Sequence, residues 1–257
     1  MGGRGSLSQQ KHKVMYDKKS IKEFMNKSGV RVIGVDHISN KGLSLVVDAM
    51  KTLYVLQRKH GRLIDTVVIG EKKSSDFSFS PNYVVTKADG TKVKVGRTLI
   101  IPKGTVQTGK KQMNLEVKRA NRDNFVVAKN IRQMVTHEFG HAMHQALKTH
   151  DRQAYDEFER KFARLVNTPN ARVNLSKYAN TKSYKGKIGS HEYVAEAVTH
   201  IIRNTKSRKG QDMIDLVHNY VGRVPSVNFS SYGKRSTSQS TTSGRPKKTI
   251  RRRRKKK

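Results

Sequence analysis

The residues best suited to chemistry gather in "VTHEFGHAMHQALKTH", residues 135–150, where His137 and His141 stand four apart and Glu138 follows the first. On a helix such a pair projects from one face, because residues one turn apart share a side. Two neutral imidazoles at that spacing can hold one Zn²⁺, and Glu138 is placed to take a proton from a water at the ion. His144 and His150 lie nearby, so a helix merely rich in histidine is the plain alternative. The flanks favour the metal, since Ile131, Met134, Val135 and Met143 recur at helical spacing around the motif. A hydrolytic ion needs a third protein ligand and an open position. Leu147 stands six residues after His141, where a three-histidine site would place its last ligand. The next source is "SHEYVAEAVTHII", residues 190–202, in which Glu192 and Glu196 are one turn apart among Val194, Ala195, Ala197 and Val198. Acids facing apolar surroundings are costly unless compensated. Glu192 is therefore expected as the third ligand, and Glu196 as the partner of a zinc histidine's other nitrogen. His191 is an alternative ligand, turned about 100° from Glu192 around the helix.

Positioning these side chains takes several elements. One helix is expected from near residue 124 to about 147, a second over 152–166 with Tyr155, Phe158, Phe162 and Leu165 on one face, and others over 191–203 and 211–221. Upstream, "VRVIGVDH" (30–37) and residues 63–70 read as strands. The helix between them carries Leu43, Val46, Val47, Met50, Leu53 and Tyr54, with Ser39 or Asn40 as its cap and Gly61 as its stop. Two short strands flank an Asp89-Gly90 turn, and residues 98–102 form a separate strand closed by Pro102. That order predicts an α+β domain over 20–225, with a small mixed sheet and backing helix above a helical lobe. Residues 1–19 are expected to be loose. Residues 226–257 are Ser/Thr-rich and then purely basic, too polar to offset their ordering entropy, and are expected to be disordered. No internal repeat is visible.

Net charge narrows the partners. The chain carries +35, and residues 234–257 supply 12 basic groups and no acid, leaving +23 on the rest. A basic body joined to a basic tail attracts polyanions, nucleic acid first. Arg251, Arg252, Arg253, Arg254, Lys255, Lys256 and Lys257 are the expected nucleic-acid tether. Hydrophobic residues make up only 34%, so part of the chain lies outside any core. Cysteine is absent, which excludes disulfides and thiolate metal sites. No apolar run reaches the length of a membrane span. The N-terminus lacks a secretory apolar stretch, so the protein is expected in the cytoplasm of the cell that makes it, or delivered by a route the sequence does not encode.

"HEFGHA" followed some fifty residues later by "EYVAEA" resembles the gluzincins, zinc peptidases with two His and one Glu as ligands. Among them the likeness is to the catalytic domain of anthrax lethal factor and to phage- and prophage-encoded metallopeptidases. It covers roughly residues 137–200. It implies a zincin-like fold, one zinc per chain, a protein or peptide substrate and hydrolysis of its peptide bonds. It also implies a tyrosine that stabilises the oxyanion. "LSKYANTKS" maps that role onto Tyr178, and the extra residues "SYKGKIGS" leave Tyr184 as the alternative. The opening "MGGRG" looks like the start of many phage structural-module proteins and suggests virion association. The competing expectation is a nucleic-acid-binding or virion structural protein in which the zincin fold is inactive.

Overall fold

The computed structural model describes residues 18–70, 77–87, 89–180, 189–203, 210–222 and 224. The expected tail, with Arg251 to Lys257, and Tyr184 lie outside these residues. The first described element is helix α1 (Lys18–Ser28), so Lys18 and Lys19 belong to a helix and not to a loose segment. A short strand β1 (Arg31–Ile33) follows. The expected strand over 30–37 stops there because Gly34 adopts a left-handed conformation (φ 84°) and turns the chain into a 3-10 turn over Val35–His37.

Helix α2 (Asn40–His60) is capped by Ser39, whose hydroxyl accepts from the Gly42 N–H at 3.3 Å, and ends at Gly61. It returns the chain to β2 (Thr66–Ile69), which is buried along its whole length. Strands β3 (Ser78–Thr86) and β4 (Lys92–Ile101) form a hairpin whose turn is held by Asp89 Oδ1 accepting from the Thr91 N–H at 2.9 Å.

The sheet runs β1-β2-β4-β3, with β1, β2 and β4 parallel and β3 antiparallel to β4. Residues 98–102 are thus no separate strand. Gly96, at φ 80°, lets β4 continue through a register shift opposite Ser80 and Tyr83. Thr98–Ile101 therefore sits in the sheet interior between β2 and β3, and among the described residues β3 is the edge strand on this side.

The rest is helical: α3 (Lys103–Thr108), α4 (Lys110–Arg122), α5 (Ile131–His150), α6 (Arg152–Val166), α7 (Ser190–Ile202) and α8 (Gln211–Val221). α5 begins later than its apolar spacing suggests. Asn124 is left-handed (φ 56°), and Asn130 caps α5 by accepting from the Gln133 N–H at 3.1 Å. Residues 123–130 are therefore a loop.

The chain is α+β, and one apolar core joins the sheet to the helices around α5. α5 packs on α2, α6, α7 and β3 and is buried almost all round. Its closest neighbour is α7: a Cβ on Gly140 would fall 2.7 Å from the Ala195 Cα. That approach brings the first turn of α7 to the histidine face. Among the described residues no helix is long and apolar enough to cross a membrane.

Candidate metal centre

α5 and α7 together place His137, His141 and Glu192 around one point. The Glu192 Oε2 atom lies 3.2 Å from His137 Nε2 and 3.5 Å from His141 Nε2. Donors at roughly 2.0–2.1 Å from a tetrahedral ion are about 3.3–3.4 Å apart, so these separations suit a shared small cation. Glu138 joins the same group, its carboxylate and the two imidazoles offering atoms within 4.8 Å of one another. His137, Glu138 and His141 are each 4–5% exposed, whereas Glu192 is only half-buried. The buried His/Glu cluster could therefore hold a metal ion.

Glu196 stands directly behind. It has no exposed surface, and its Oε1 lies 3.0 Å from His137 Nδ1, although the ring N–H is not aimed straight along that line. Its Oε2 accepts from the Val127 N–H at 2.6 Å. The arrangement leaves His137 Nε2 facing Glu192 and fixes the plane of the ring.

His191 is not turned away from the cluster. Its ring stacks on His141 at 3.8 Å and 19°, and His141, His191 and Glu192 form a second group of potential ligands. The 100° offset on the helix is overcome because α7 approaches α5 so closely that both residues reach the same wall. His191 is the more exposed of the two.

The cluster is short of positive charge. Burial works against a charged His137, yet Glu192, Glu196 and Glu138 outweigh it and push the imidazole up to about 10. Burial pushes His141 down to about 3 despite Glu192, so its ring is neutral. Burial likewise takes His191 down to about 4. Burial would raise Glu192, but the contacts with His137 and His141 prevail and hold it well below the carboxylate range. Three carboxylates around two imidazoles favour a cation, whether a proton or a metal. The buried, partnerless Nδ1 of His141 is consistent with a ring oriented by its other nitrogen.

Tyr178 reaches the site from the loop before α7. Its ring is 5.9 Å from that of His137, and its N–H donates to the Phe125 carbonyl at 2.9 Å. The turn that carries it is tied to α7 by a hydrogen bond from the Tyr193 hydroxyl to Asn180.

A further group has no counterpart in the sequence reasoning. Glu159 of α6 accepts from the Ser190 hydroxyl at 2.5 Å and lies 3.3 Å from His144 Nε2. It thus links α6, α5 and the start of α7 next to Glu192. Only the i, i+3 spacing of His141 and His144 hinted at it, since Glu159 looks like an ordinary surface acid on an amphipathic helix.

The chain matches no family model, no curated protein and no solved structure.

Proposed function

We propose that this chain is a zinc metallopeptidase of the gluzincin type on a zincin-like fold, binding one Zn²⁺ through His137, His141 and Glu192. The observation that carries the proposal is the convergence of these three side chains from two helices, with Glu138 beside them and Tyr178 at the rim. Bound zinc would supply Lewis acidity, acidifying water and polarising a carbonyl. Glu138, one residue from a ligand but not needed as one, accepts the proton of the attacking water and returns it to the leaving amine. The Tyr178 hydroxyl donates to the oxygen that gains charge. Glu196, itself held by the Val127 N–H, keeps His137 in one orientation.

The substrate lies extended along an edge strand, which among the described residues is β3 on this side of the sheet. Residues 98–101, in the sheet interior, cannot serve. The net charge of +35 supports nucleic acid as a second partner, bound through phosphates without sequence preference.

Glu138→Gln is the test of the activity. The amide is nearly isosteric, so zinc and fold are retained while cleavage of a peptide library falls by about 10²–10⁴. Equal cleavage by wild type and variant would dismiss Glu138 as the base.

A further inference from the structure

Phe125 is 46% exposed and is the one aromatic side chain among the large apolar residues that the described part of the molecule leaves open to solvent. The smaller residues beside it, Val127 and Ala128, are buried. A segment free to choose would bury the larger side chain, so something holds Phe125 out.

The backbone does so. Asn124 is left-handed at φ 56°, an unusual state for a residue with a side chain. The Phe125 N–H donates to the Ala120 carbonyl at 2.8 Å, and the Asn124 and Phe125 carbonyls accept from the Lys177 and Tyr178 N–H groups, each at 2.9 Å. The Asn121 amide donates to the Val126 and Val127 carbonyls at 2.9 and 3.0 Å. Two residues on, Val127 is fastened to Glu196, the residue that braces His137. The loop is thus held by α4, by the turn that carries Tyr178 and by the acid behind His137.

Its exposed ring neighbours the tyrosine that borders that cluster. Phe125 lies 5.6 Å from the Tyr178 ring, which lies 5.9 Å from His137. An extended peptide advances about 3.3 Å per residue, so these two ring-to-ring steps span no more than a few residues of a substrate. We propose that Phe125 is the wall of a substrate subsite that takes an apolar side chain flanking the scissile bond. This rests on the peptidase assignment and adds the class of peptide that the site prefers.

The test uses the zinc-loaded full chain carrying Glu138→Gln, which leaves peptides uncut, together with Phe125→Trp. The sequence has no tryptophan, so the new indole is the sole reporter. End-blocked hexapeptides with a central Leu or Phe should shift its emission to the blue. They should also bind about five- to tenfold tighter than the same peptides with central Ser or Glu. In equilibrium dialysis, Phe125→Ala should abolish that preference and Phe125→Leu should keep part of it. Equal affinities for all four peptides, or an unresponsive indole, would overturn the subsite. A response to an oligothymidylate but to no peptide would also overturn it and assign the ring to base stacking. Zinc content in the same samples separates the two levels. A chain without zinc overturns the metal assignment and the subsite with it, whereas zinc-loaded protein without preference overturns the subsite alone.

Discussion

Glu196→Gln changes one atom type and one charge at the point where α7 braces the histidine helix. The carboxylate is fully buried and serves two groups, His137 Nδ1 at 3.0 Å and the Val127 N–H at 2.6 Å. A glutamine can present its oxygen to only one of them. The other then faces an amide N–H₂, donor against donor. Leaving one buried donor unsatisfied costs about 1–3 kcal/mol. Loss of a partner behind a metal histidine lowers metal affinity by about 10–100-fold. Glu196→Ala should be worse in stability, since it strands the Val127 N–H and opens a cavity between α7 and the loop. The assay is zinc competition against a chromogenic chelator near neutral pH, paired with urea unfolding of the metal-free chain. Zinc affinity within twofold of wild type in Glu196→Gln would refute the bracing role, whatever happened to stability.

Further outcomes follow from the same geometry. Gly140→Ala would force a Cβ to within 2.7 Å of the Ala195 Cα, backbone that cannot yield, so a loss of about 1–3 kcal/mol in urea unfolding is expected. Glu159 is held below its ordinary value of 4.5: burial opposes this, but the contacts from His144 and Ser190 prevail. A depressed carboxylate stabilises fully above its unfolded value and loses that contribution as pH falls below it. The urea midpoint should therefore drop below about pH 4.5, and drop less in Glu159→Gln. Deleting residues 234–257 removes 12 basic groups, so binding to duplex DNA should weaken and its dependence on salt should flatten. An unchanged salt slope would place the contact on the folded body.

The sequence reveals most where one element carries its own signal. α6 and α8 have the bounds their amphipathic faces predict, since Asp151 and Gly210 mark where each begins. The histidine face of α5 and the acidic face of α7 follow from one-turn spacing alone. Errors arise where distant residues decide. "FVVA" at 125–128 has apolar spacing that continues α5 backwards, yet Glu196, 69 residues downstream, captures the Val127 N–H and holds the segment as a loop. Gly96 looks like a strand end but lies inside β4, because β3 pairs with β4 on both sides of it while β2 pairs only with Thr98–Ile101. Which strand forms the edge is likewise a property of pairing, which no single segment records. His191 reaches the cluster only because Gly140 lets α7 approach, a contact between helices some fifty residues apart in sequence.

Metal content tests the central claim most directly. Purified chain equilibrated with zinc and freed of excess should retain one ion, while His137→Ala and His141→Ala retain none and Glu192→Ala retains little, all four with matching circular dichroism. Full occupancy in Glu192→Ala together with a metal-free His191→Ala would contradict the ligand set, and a folded wild type that holds no zinc would contradict the account as a whole.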